Sequence, residues 1–338
     1  MSRRGSGSGR WQAAVLSLLL LPVIGVGIAL WWLGRPLELA APTVEVSIEA
    51  GTTPRQIADA WVRAGVKTSP RLLYEWFRWS GEARRIRAGS YAVLPGATPR
   101  TLLSKMVEGD EQLETVRLIE GRSWREFRAE LARAPRLKPT TAAMSDAELM
   151  TAIGAPGISP EGRFFPDTYA YSVGVSDLLV LKRAYAKMQQ ELAAAWAART
   201  PGGVLKTPEQ ALTLASIVEK ETGREADRAL VAGVFSNRLR VGMPLQTDPS
   251  VIYGLGERFD GNLRRVHLET DGPYNTYTRP GLPPTPIAMP GRASLLAAVK
   301  PAPTQALYFV ARGDGSSQFS STLADHNRAV NQYQRGRP

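Results

Sequence analysis

Cysteine is absent from the 338-residue chain, and histidine occurs only as His267 and His326. The absence of cysteine excludes structural disulfides, thiolate catalysis, iron–sulfur clusters and zinc knuckles. Two histidines so far apart in sequence argue against a histidine-rich metal site. The sequence also lacks the G-x-S-x-G, H-E-x-x-H and Walker signatures of common catalytic sites. It therefore predicts no metal and no cofactor, and it leaves carboxylate chemistry as the basis of an activity.

Acidic residues are fewer than basic ones, 31 against 42, and the formal net charge is +11. This charge suits an anionic partner, such as a phospholipid surface, nucleic acid or a cell-wall polymer, and charge alone does not choose among them. Because the basic residues are spread among the predicted helices, we expect no nucleic-acid partner. The composition, 43% hydrophobic and 22% charged, is ordinary for a globular protein, and the length allows two domains.

One long apolar run, "WQAAVLSLLLLPVIGVGIALWWL", covers residues 11–33 without a charge. At about 1.5 Å per residue it can cross a hydrocarbon core of about 30 Å. Tryptophans stand at both ends, and the arginines before the run outnumber the one just after it: Arg3, Arg4, Arg10 and Arg35. This bias predicts a cytoplasmic tail (1–10), a transmembrane helix (11–33), a linker (34–43) and an outer remainder. A cleaved signal peptide is the alternative, although the run exceeds the usual length of its apolar region.

Residues 44–112 have the pattern of a small α+β module. Residues 44–48 alternate between apolar and polar as a strand does. Thr53 and Thr98 each precede a proline, which predicts that a helix begins at each place. The segments "GTTPRQIADAW" and "RAGSYAVLP" resemble a LysM-like carbohydrate-binding module. A spacer that lifts the next domain off the membrane is the alternative.

A larger α+β domain is predicted for residues 113–338. We expect strands near residues 115–119 and 306–310, the second followed by a glycine-rich turn, and a long helix over residues 178–198. Residues 254–290 are dense in glycine and proline with interleaved aromatic residues, and loops of that length inside a compact domain are usually functional.

The segment "LASIVEKETG" carries two glutamates at the end of a predicted helix that begins after Thr207. Glu221 falls within about 20° of the apolar position Leu214, whereas Glu219 lies about 140° away. A carboxyl on the apolar face near a helix C-terminus should have a raised pKa, as a general acid for glycosidic cleavage requires. Glu221 is therefore the candidate acid. An ion pair with a neighbour such as Arg224 is the alternative.

Further polar residues lie on or near predicted loops, where they could form hydrogen bonds with a sugar or stack on its face. These candidates are Asn237, Gln246, Thr247, Asp248, Tyr274, Asn275 and Tyr277. Asp248 stands first among them, although it could instead cap a helix or turn, and Asn237 could instead satisfy backbone groups. In "EGRFFPDTY", Glu161 and Asp167 could line a cleft or belong to a fold-shaping turn. We expect His326 and Asn327 to form a structural hydrogen-bond pair.

Five segments together resemble the endolytic murein transglycosylase family, the MltG or YceG-like proteins, in the order in which that family has them. They are "EGRFFPDTYAY", "LASIVEKETG", "VAGVFSNRLRVGMPLQTDPSVIYGLG", "YNTYTRPGLPPTPIAMPG" and "STLADHNRAV". The resemblance implies a YceG-like catalytic domain over residues 113–338, with the second glutamate of E-K-E, Glu221, as the catalytic residue.

The same resemblance implies cleavage of the MurNAc-β-1,4-GlcNAc bond of nascent glycan strands without water, leaving a 1,6-anhydroMurNAc end. One glutamate would serve as acid and then as base, with no cofactor. It further implies a single-pass inner-membrane protein with a periplasmic catalytic domain, which works beside peptidoglycan synthases and ends new strands. Two alternatives stay open: a non-catalytic cell-wall-binding scaffold and a hydrolytic muramidase.

Overall fold

The computed structural model describes residues 23–335, and these divide into two compact units. Unit 1 ends at Glu114 and also includes Ser172–Gly174. Unit 2 comprises Thr115–Tyr171 and the chain from Val175 onward. Both units contain helices and short antiparallel strands, so the fold class is α+β, as predicted.

Helix α1 is described over residues 23–34. Most of its side chains are apolar and exposed, with Val23 at 69% and Trp31 at 62%. No helix within residues 23–335 is both long enough and apolar enough to cross a membrane. Residues 11–22 of the predicted span, and the predicted tail before them, lie outside the described residues. The transmembrane helix therefore stays a prediction.

Unit 1 contains two pairs of strands and three helices after α1. The elements are β1 (Glu38–Leu39), β2 (Val44–Ile48), α2 (Pro54–Ala64), β3 (Val66–Lys67), α3 (Pro70–Trp79), a 3₁₀ turn (Ala83–Arg85), β4 (Gly89–Val93) and α4 (Pro99–Glu108). Strand β1 pairs with β3, and β2 pairs with β4 antiparallel. Trp61, Phe77 and Tyr91 are fully buried at the centre of this unit's core.

The predicted helix starts in unit 1 are confirmed. The Thr53 hydroxyl accepts a hydrogen bond from the Gln56 N–H, and the Gln56 side chain accepts one from the Thr53 N–H. Thr98 and Thr101 form the equivalent pair at the start of α4. Because a cap satisfies N–H groups that have no partner inside the helix, these short patterns fix where each helix begins.

Unit 2 is mainly helical. Its elements are β5 (Leu113–Arg117, which begins at the end of unit 1), α5 (Trp124–Arg133), α6 (Asp146–Ile153), β6 (Thr168–Ser172), α7 (Asp177–Ala197), α8 (Pro208–Glu221), α9 (Arg228–Arg240), α10 (Asp248–Leu255), α11 (Arg265–Glu269), α12 (Arg292–Val299), β7 (Tyr308–Ala311), β8 (Ser317–Ser320) and α13 (Leu323–Val330). Short helical turns occupy Glu225–Asp227, Gly256–Arg258 and Asn331–Arg335. Strand β5 pairs with β6, and β7 with β8. The predicted strands near residues 115–119 and 306–310 overlap β5 and β7, which begin two residues earlier and two residues later, respectively.

Helix α8 is the central helix of unit 2. It packs against α7, α9, α10 and α12, and every residue from Ala211 to Val218 is buried. The sequence pattern predicted one apolar face on this helix, whereas the structure buries all of its faces over this range. Polar positions on the other faces are buried because they find partners: the Ser216 hydroxyl donates to the Thr213 carbonyl and accepts from the Ile287 N–H. The helix thus holds its last residue, Glu221, against the core.

Candidate active site

Glu221 is the last residue of α8, which begins after Thr207 and is capped at its other end by Thr222. Its side chain is partly enclosed, and burial raises the pKa of its carboxyl above the ordinary value. This confirms the direction predicted from the helix pattern. The charges that act on it are those of Asp248 and Arg238. The alternative ion pair with Arg224 is therefore not the arrangement that the structure shows.

Thr247 is the direct partner of this carboxyl. Its hydroxyl donates a hydrogen bond to Oε1 of Glu221 at 2.5 Å. This bond lowers the pKa of Glu221 and partly opposes the effect of burial. Within residues 23–335, Oε2 receives no comparable bond. One oxygen is therefore fixed, while the other remains available to a ligand.

Buried hydroxyl groups hold Thr247 in place. Thr247 is 1% exposed, and its N–H donates to Oγ1 of Thr276 at 3.0 Å. The Ser250 hydroxyl donates to the Thr247 carbonyl at 2.8 Å and lies 2.9 Å from the Thr276 hydroxyl. Thr247, one of the predicted substrate-binding residues, thus contacts the catalytic candidate directly. Sequence reasoning missed Ser250 and Thr276, since nothing local pairs them with Thr247.

Asp248 and Tyr277 form a second pair beside Glu221. The Tyr277 hydroxyl donates to Oδ1 of Asp248 at 2.6 Å. Asp248 is the exposed first residue of α10, and its negative charge raises the pKa of Glu221. Burial, followed by the bond to Asp248, raises the pKa of Tyr277. The structure therefore brings both predicted residues near Glu221.

Arg238 is a site residue that the sequence did not reveal. It is 7% exposed on α9, and its guanidinium donates to the carbonyls of Leu307 and Leu245 at 2.7 and 2.6 Å. Its positive charge lowers the pKa of Glu221. The one available signal was an arginine inside an otherwise apolar helical pattern. Arg238 thus links Leu245, two residues before Thr247, to Leu307, the residue that precedes strand β7.

His326 does not pair with Asn327, so that prediction is wrong. Adjacent positions on α13 point in different directions. The His326 ring stacks on Tyr308 with centroids 5.2 Å apart, and its Nδ1 has no hydrogen-bond partner among the described residues. Tyr308 in turn lies under the Arg238 guanidinium at 5.5 Å. His326 therefore supports the arginine through an aromatic stack.

The three predicted amide side chains have different surroundings. Asn237 lies within α9, three residues before its end, and its amide donates to the carbonyls of Thr304 and Ala306. The buried Asn275 amide donates to three backbone carbonyls, those of His267, Leu268 and Thr270. Both amides stabilise loops, which favours the structural interpretation. Gln246 is exposed beside Thr247, with a left-handed φ of 48°.

Glu161 is 4% exposed, which favours the fold-shaping turn over a position that lines a cleft. Both of its carboxyl oxygens accept from the Trp124 N–H, at 3.0 and 3.1 Å. Gly162, with φ 77°, turns the chain so closely against Pro286 that a Cβ there would lie 2.4 Å away. Burial raises the pKa of Glu161 to about 7. The turn therefore seals this carboxyl inside the fold.

Tyr274, another predicted substrate-binding residue, is half-buried. Its hydroxyl lies 2.9 Å from the Thr285 hydroxyl, and its ring packs edge-on against Tyr253 at 4.9 Å. Asp167, the other candidate of its segment, pairs with Lys187, which lowers its pKa. Neither Tyr274 nor Asp167 is among the residues that shift the pKa of Glu221.

Glu219, the first glutamate of E-K-E, has hydrogen-bond partners different from those of Glu221. Its Oε2 accepts from the Gly291 N–H at 2.9 Å. Its charge, after burial, raises the pKa of Glu120. The two glutamates of the segment therefore belong to different surroundings, and only Glu221 contacts Thr247. Within residues 23–335, no three acidic or histidine side chains are placed to hold a metal ion.

The sequence profile of the YceG-like family matches residues 46–332. The endolytic murein transglycosylase of Bacillus subtilis (strain 168) is 30% identical over 308 residues, which cover 86% of this chain and 85% of that protein. The endolytic murein transglycosylase of Streptococcus pneumoniae (strain D39) is 25% identical over 321 residues, which cover 85% of this chain and 58% of that protein. The crystal structure of a yceG-like protein from Listeria monocytogenes is 28% identical with a TM-score of 0.53, covering 85% of this chain and 98% of that one. This chain therefore belongs to the YceG-like family.

Proposed function

We propose that this chain is an endolytic peptidoglycan lytic transglycosylase in which Glu221 is the catalytic acid and base. The observation that carries the proposal is a carboxyl whose pKa burial raises, with one oxygen bound by Thr247 and the other free. A protonated carboxyl is what glycosidic cleavage needs. The two relatives named endolytic murein transglycosylase support the choice of substrate.

In the first step Glu221 gives its proton to the oxygen that links MurNAc C1 to GlcNAc C4. The bond between C1 and that oxygen breaks, and the GlcNAc strand leaves with a hydroxyl. Positive charge then develops on the MurNAc ring as an oxocarbenium-like state. In the second step the MurNAc 6-hydroxyl bonds to C1 and gives its proton to the Glu221 carboxylate. The acid is regenerated, the new end is 1,6-anhydroMurNAc, and no water is consumed.

Three neighbours of Glu221 influence where its proton lies and how readily the carboxyl gives up that proton. Thr247 occupies Oε1, so the proton belongs on Oε2, where it can face the glycosidic oxygen. Arg238 stabilises the carboxylate after the proton leaves, because its charge lowers the pKa of Glu221. Asp248 acts in the opposite direction and adds negative charge near the cationic sugar ring.

A hydrolytic muramidase is the second candidate, and Asp248 is the observation in its favour. A hydrolase needs a second carboxyl, either to activate water or to form a covalent intermediate. Asp248 is near enough to influence Glu221 electrostatically. Its bond to Tyr277 gives it a fixed position. The products of the reaction distinguish the two candidates.

The test is cleavage of uncrosslinked glycan strands in ¹⁸O-labelled water, followed by mass analysis. A lytic transglycosylase gives internal fragments with anhydro ends, each lighter by one water than a hydrolysis product and free of ¹⁸O. A muramidase gives reducing ends that carry one ¹⁸O. Products released only from strand termini would contradict the endolytic assignment.

We further propose that the chain is anchored in the inner membrane by residues 11–33, with its catalytic domain in the periplasm beside peptidoglycan synthases. The exposed apolar side chains of α1 support an apolar environment for residues 23–31. The order β2, α2, α3, β4, with β2 and β4 antiparallel, supports a LysM-like module. Membrane fractionation of the full chain, against a chain that begins at residue 38, tests the anchor.

A further inference from the structure

One cavity in unit 2 has a lining that does not include Glu221. It has a volume of about 780 Å³ and is lined by the end of α7, the loop before α8, one face of α9, and the end of α12 with the chain after it. This volume lies within the range of about 300–1,000 Å³ that is typical of ligand pockets. The mechanism proposed above does not use it.

Three cations line this cavity: Arg199, Lys206 and Arg240. The described residues that line it include no aspartate or glutamate. Arg199 lies over the Trp196 ring at 4.5 Å, and Arg240 donates to the Asn237 side chain. Within residues 23–335, none of the three forms an ion pair. The cavity therefore has an uncompensated positive charge, which favours an anionic ligand.

The walls are not uniformly polar. Trp196, Leu205 and Val299 contribute apolar surface, while Ser236, only 3% exposed, contributes a buried hydroxyl without a hydrogen-bond partner among the described residues. A free inorganic anion would leave most of this volume and all of the apolar wall unused. A short peptide with small apolar side chains and carboxylates would use both.

Helix α8 separates this cavity from the catalytic carboxyl. Lys206 precedes the helix, and Glu221 is its last residue. A helix of 14 residues is about 20 Å long. A strand could therefore occupy the active site with one part while a substituent farther along it reaches the cavity.

We propose that the cavity binds a carboxylate-bearing peptide, namely a stem peptide attached to the glycan strand that Glu221 cleaves. Lys206 and Arg240 pair with the peptide carboxylates, and Trp196 packs on its apolar side chains. The proposal rests on the proposed function, because that function makes a peptide-bearing strand the substrate. It adds a preference for strands that carry acidic peptides.

The first test measures binding by calorimetry with the full-length chain in detergent. The probe is a synthetic stem tetrapeptide, N-acetyl-L-Ala-γ-D-Glu-meso-diaminopimelate-D-Ala, whose three carboxylates outnumber its one amine, and the comparison ligands are its fully amidated form and inorganic phosphate. We expect the acidic peptide to bind, and Lys206→Gln or Arg240→Gln each to weaken binding roughly tenfold, because each removes one charge-assisted hydrogen bond. Full amidation removes both bonds and should weaken binding by more than either substitution. Lys182→Gln, which removes an exposed lysine of α7 outside the cavity, should leave binding unchanged.

The proposal would be overturned by no binding of the acidic peptide, by equal binding of the amidated peptide, or by an equal loss with Lys182→Gln. Phosphate binding as tight as that of the peptide would assign the cavity to free oxyanions instead. Glu221→Gln should bind the peptide like the parent chain. Peptide binding without any strand cleavage would therefore contradict the proposed function and leave the cavity assignment standing.

The second test compares strands that carry stem peptides with strands stripped of them. Lys206→Gln and Arg240→Gln should raise KM for the peptide-bearing strands several-fold and leave kcat unchanged. On stripped strands both variants should match the parent chain. A fall in kcat on both substrates would show a structural defect and contradict the peptide site.

Discussion

Glu221 and Glu161 are both enclosed carboxyls of unit 2 whose pKa burial raises, but they lie at opposite kinds of helix end. Glu221 ends α8, where the partial negative charge of the helix C-terminus disfavours a carboxylate. Glu161 accepts from the Trp124 N–H at the start of α5, where the partial positive charge favours one. Both oxygens of Glu161 face that N–H, whereas Glu221 keeps one oxygen free. A raised pKa therefore does not identify a catalytic acid unless a free oxygen accompanies it.

The largest effect should come from Glu221→Gln. Because the amide cannot give or take a proton, we expect the cleavage rate of glycan strands to fall by roughly 10³-fold. Glu161→Gln should retain cleavage at a pH where it is folded, and so should Glu219→Gln, which is the matched control on α8. Rates are measured from the release of fragments, with folding checked by circular dichroism. Loss of cleavage in Glu161→Gln while it is folded would overturn the comparison.

The next effect concerns stability and belongs to Glu161. Its pKa in the folded chain, about 7, lies above the ordinary 4.5, so ionisation favours the unfolded chain. The free energy of unfolding should be unaffected below pH 4.5, fall as the pH rises towards 7, and then level off. The pKa difference corresponds to about 3 kcal/mol.

Urea unfolding at several pH values measures this loss, with Glu161→Gln as the reference because its side chain does not ionise. The difference between the two chains should shift by up to about 3 kcal/mol across this window. A difference that stays constant with pH would show that Glu161 is ionised in the folded chain throughout.

Thr247→Val should have a smaller effect, on catalysis. It removes the hydrogen bond that lowers the pKa of Glu221, so the pKa should rise further and the proton should lose its fixed position. We expect kcat to fall roughly tenfold and the alkaline limb of the pH–rate profile to move to higher pH. Thr247→Ser keeps the hydroxyl and should restore both. Failure of serine to restore them would assign the effect to packing.

The smallest effect should come from Asp248→Asn. Removing this negative charge should lower the pKa of Glu221 and move the alkaline limb to lower pH. The shift should be smaller than that of Thr247→Val and should shrink at high salt, because Asp248 is exposed and salt screens its charge. Formation of anhydro ends should continue. Abolished cleavage would instead favour the muramidase, in which Asp248 has a catalytic role.

Local chemistry explains which elements could be predicted. At Thr53, Thr98 and Thr207 the threonine hydroxyl accepts a hydrogen bond from the N–H group three residues ahead, so the helix starts were predictable from short segments. The burial of α8 on all sides was not predictable from the sequence, because its polar side chains find hydrogen-bond partners on distant segments, as Ser216 does with Ile287.

The features of the candidate site also differ in how far the sequence could predict them. The raised pKa of Glu221 follows from its position at the end of an apolar helix. Its partner Thr247 lies 26 residues away, and Arg238 reaches Leu307 across 69 residues, so no local pattern could show either contact. The short segment around Glu161 suggests the turn that the structure shows, but it could not show the contact with the Trp124 N–H, 37 residues away.

The most direct test of the central claim is an NMR titration of the two carboxyls in the full-length chain labelled with ¹³C at glutamate Cδ. Glu221→Gln and Glu161→Gln assign the two signals. The account predicts that both titrate above 4.5, with Glu161 at about 7, and that only the pKa of Glu221 matches the alkaline limb of strand cleavage. A Glu221 pKa at or below its ordinary value, or an alkaline limb that follows Glu161, would contradict it.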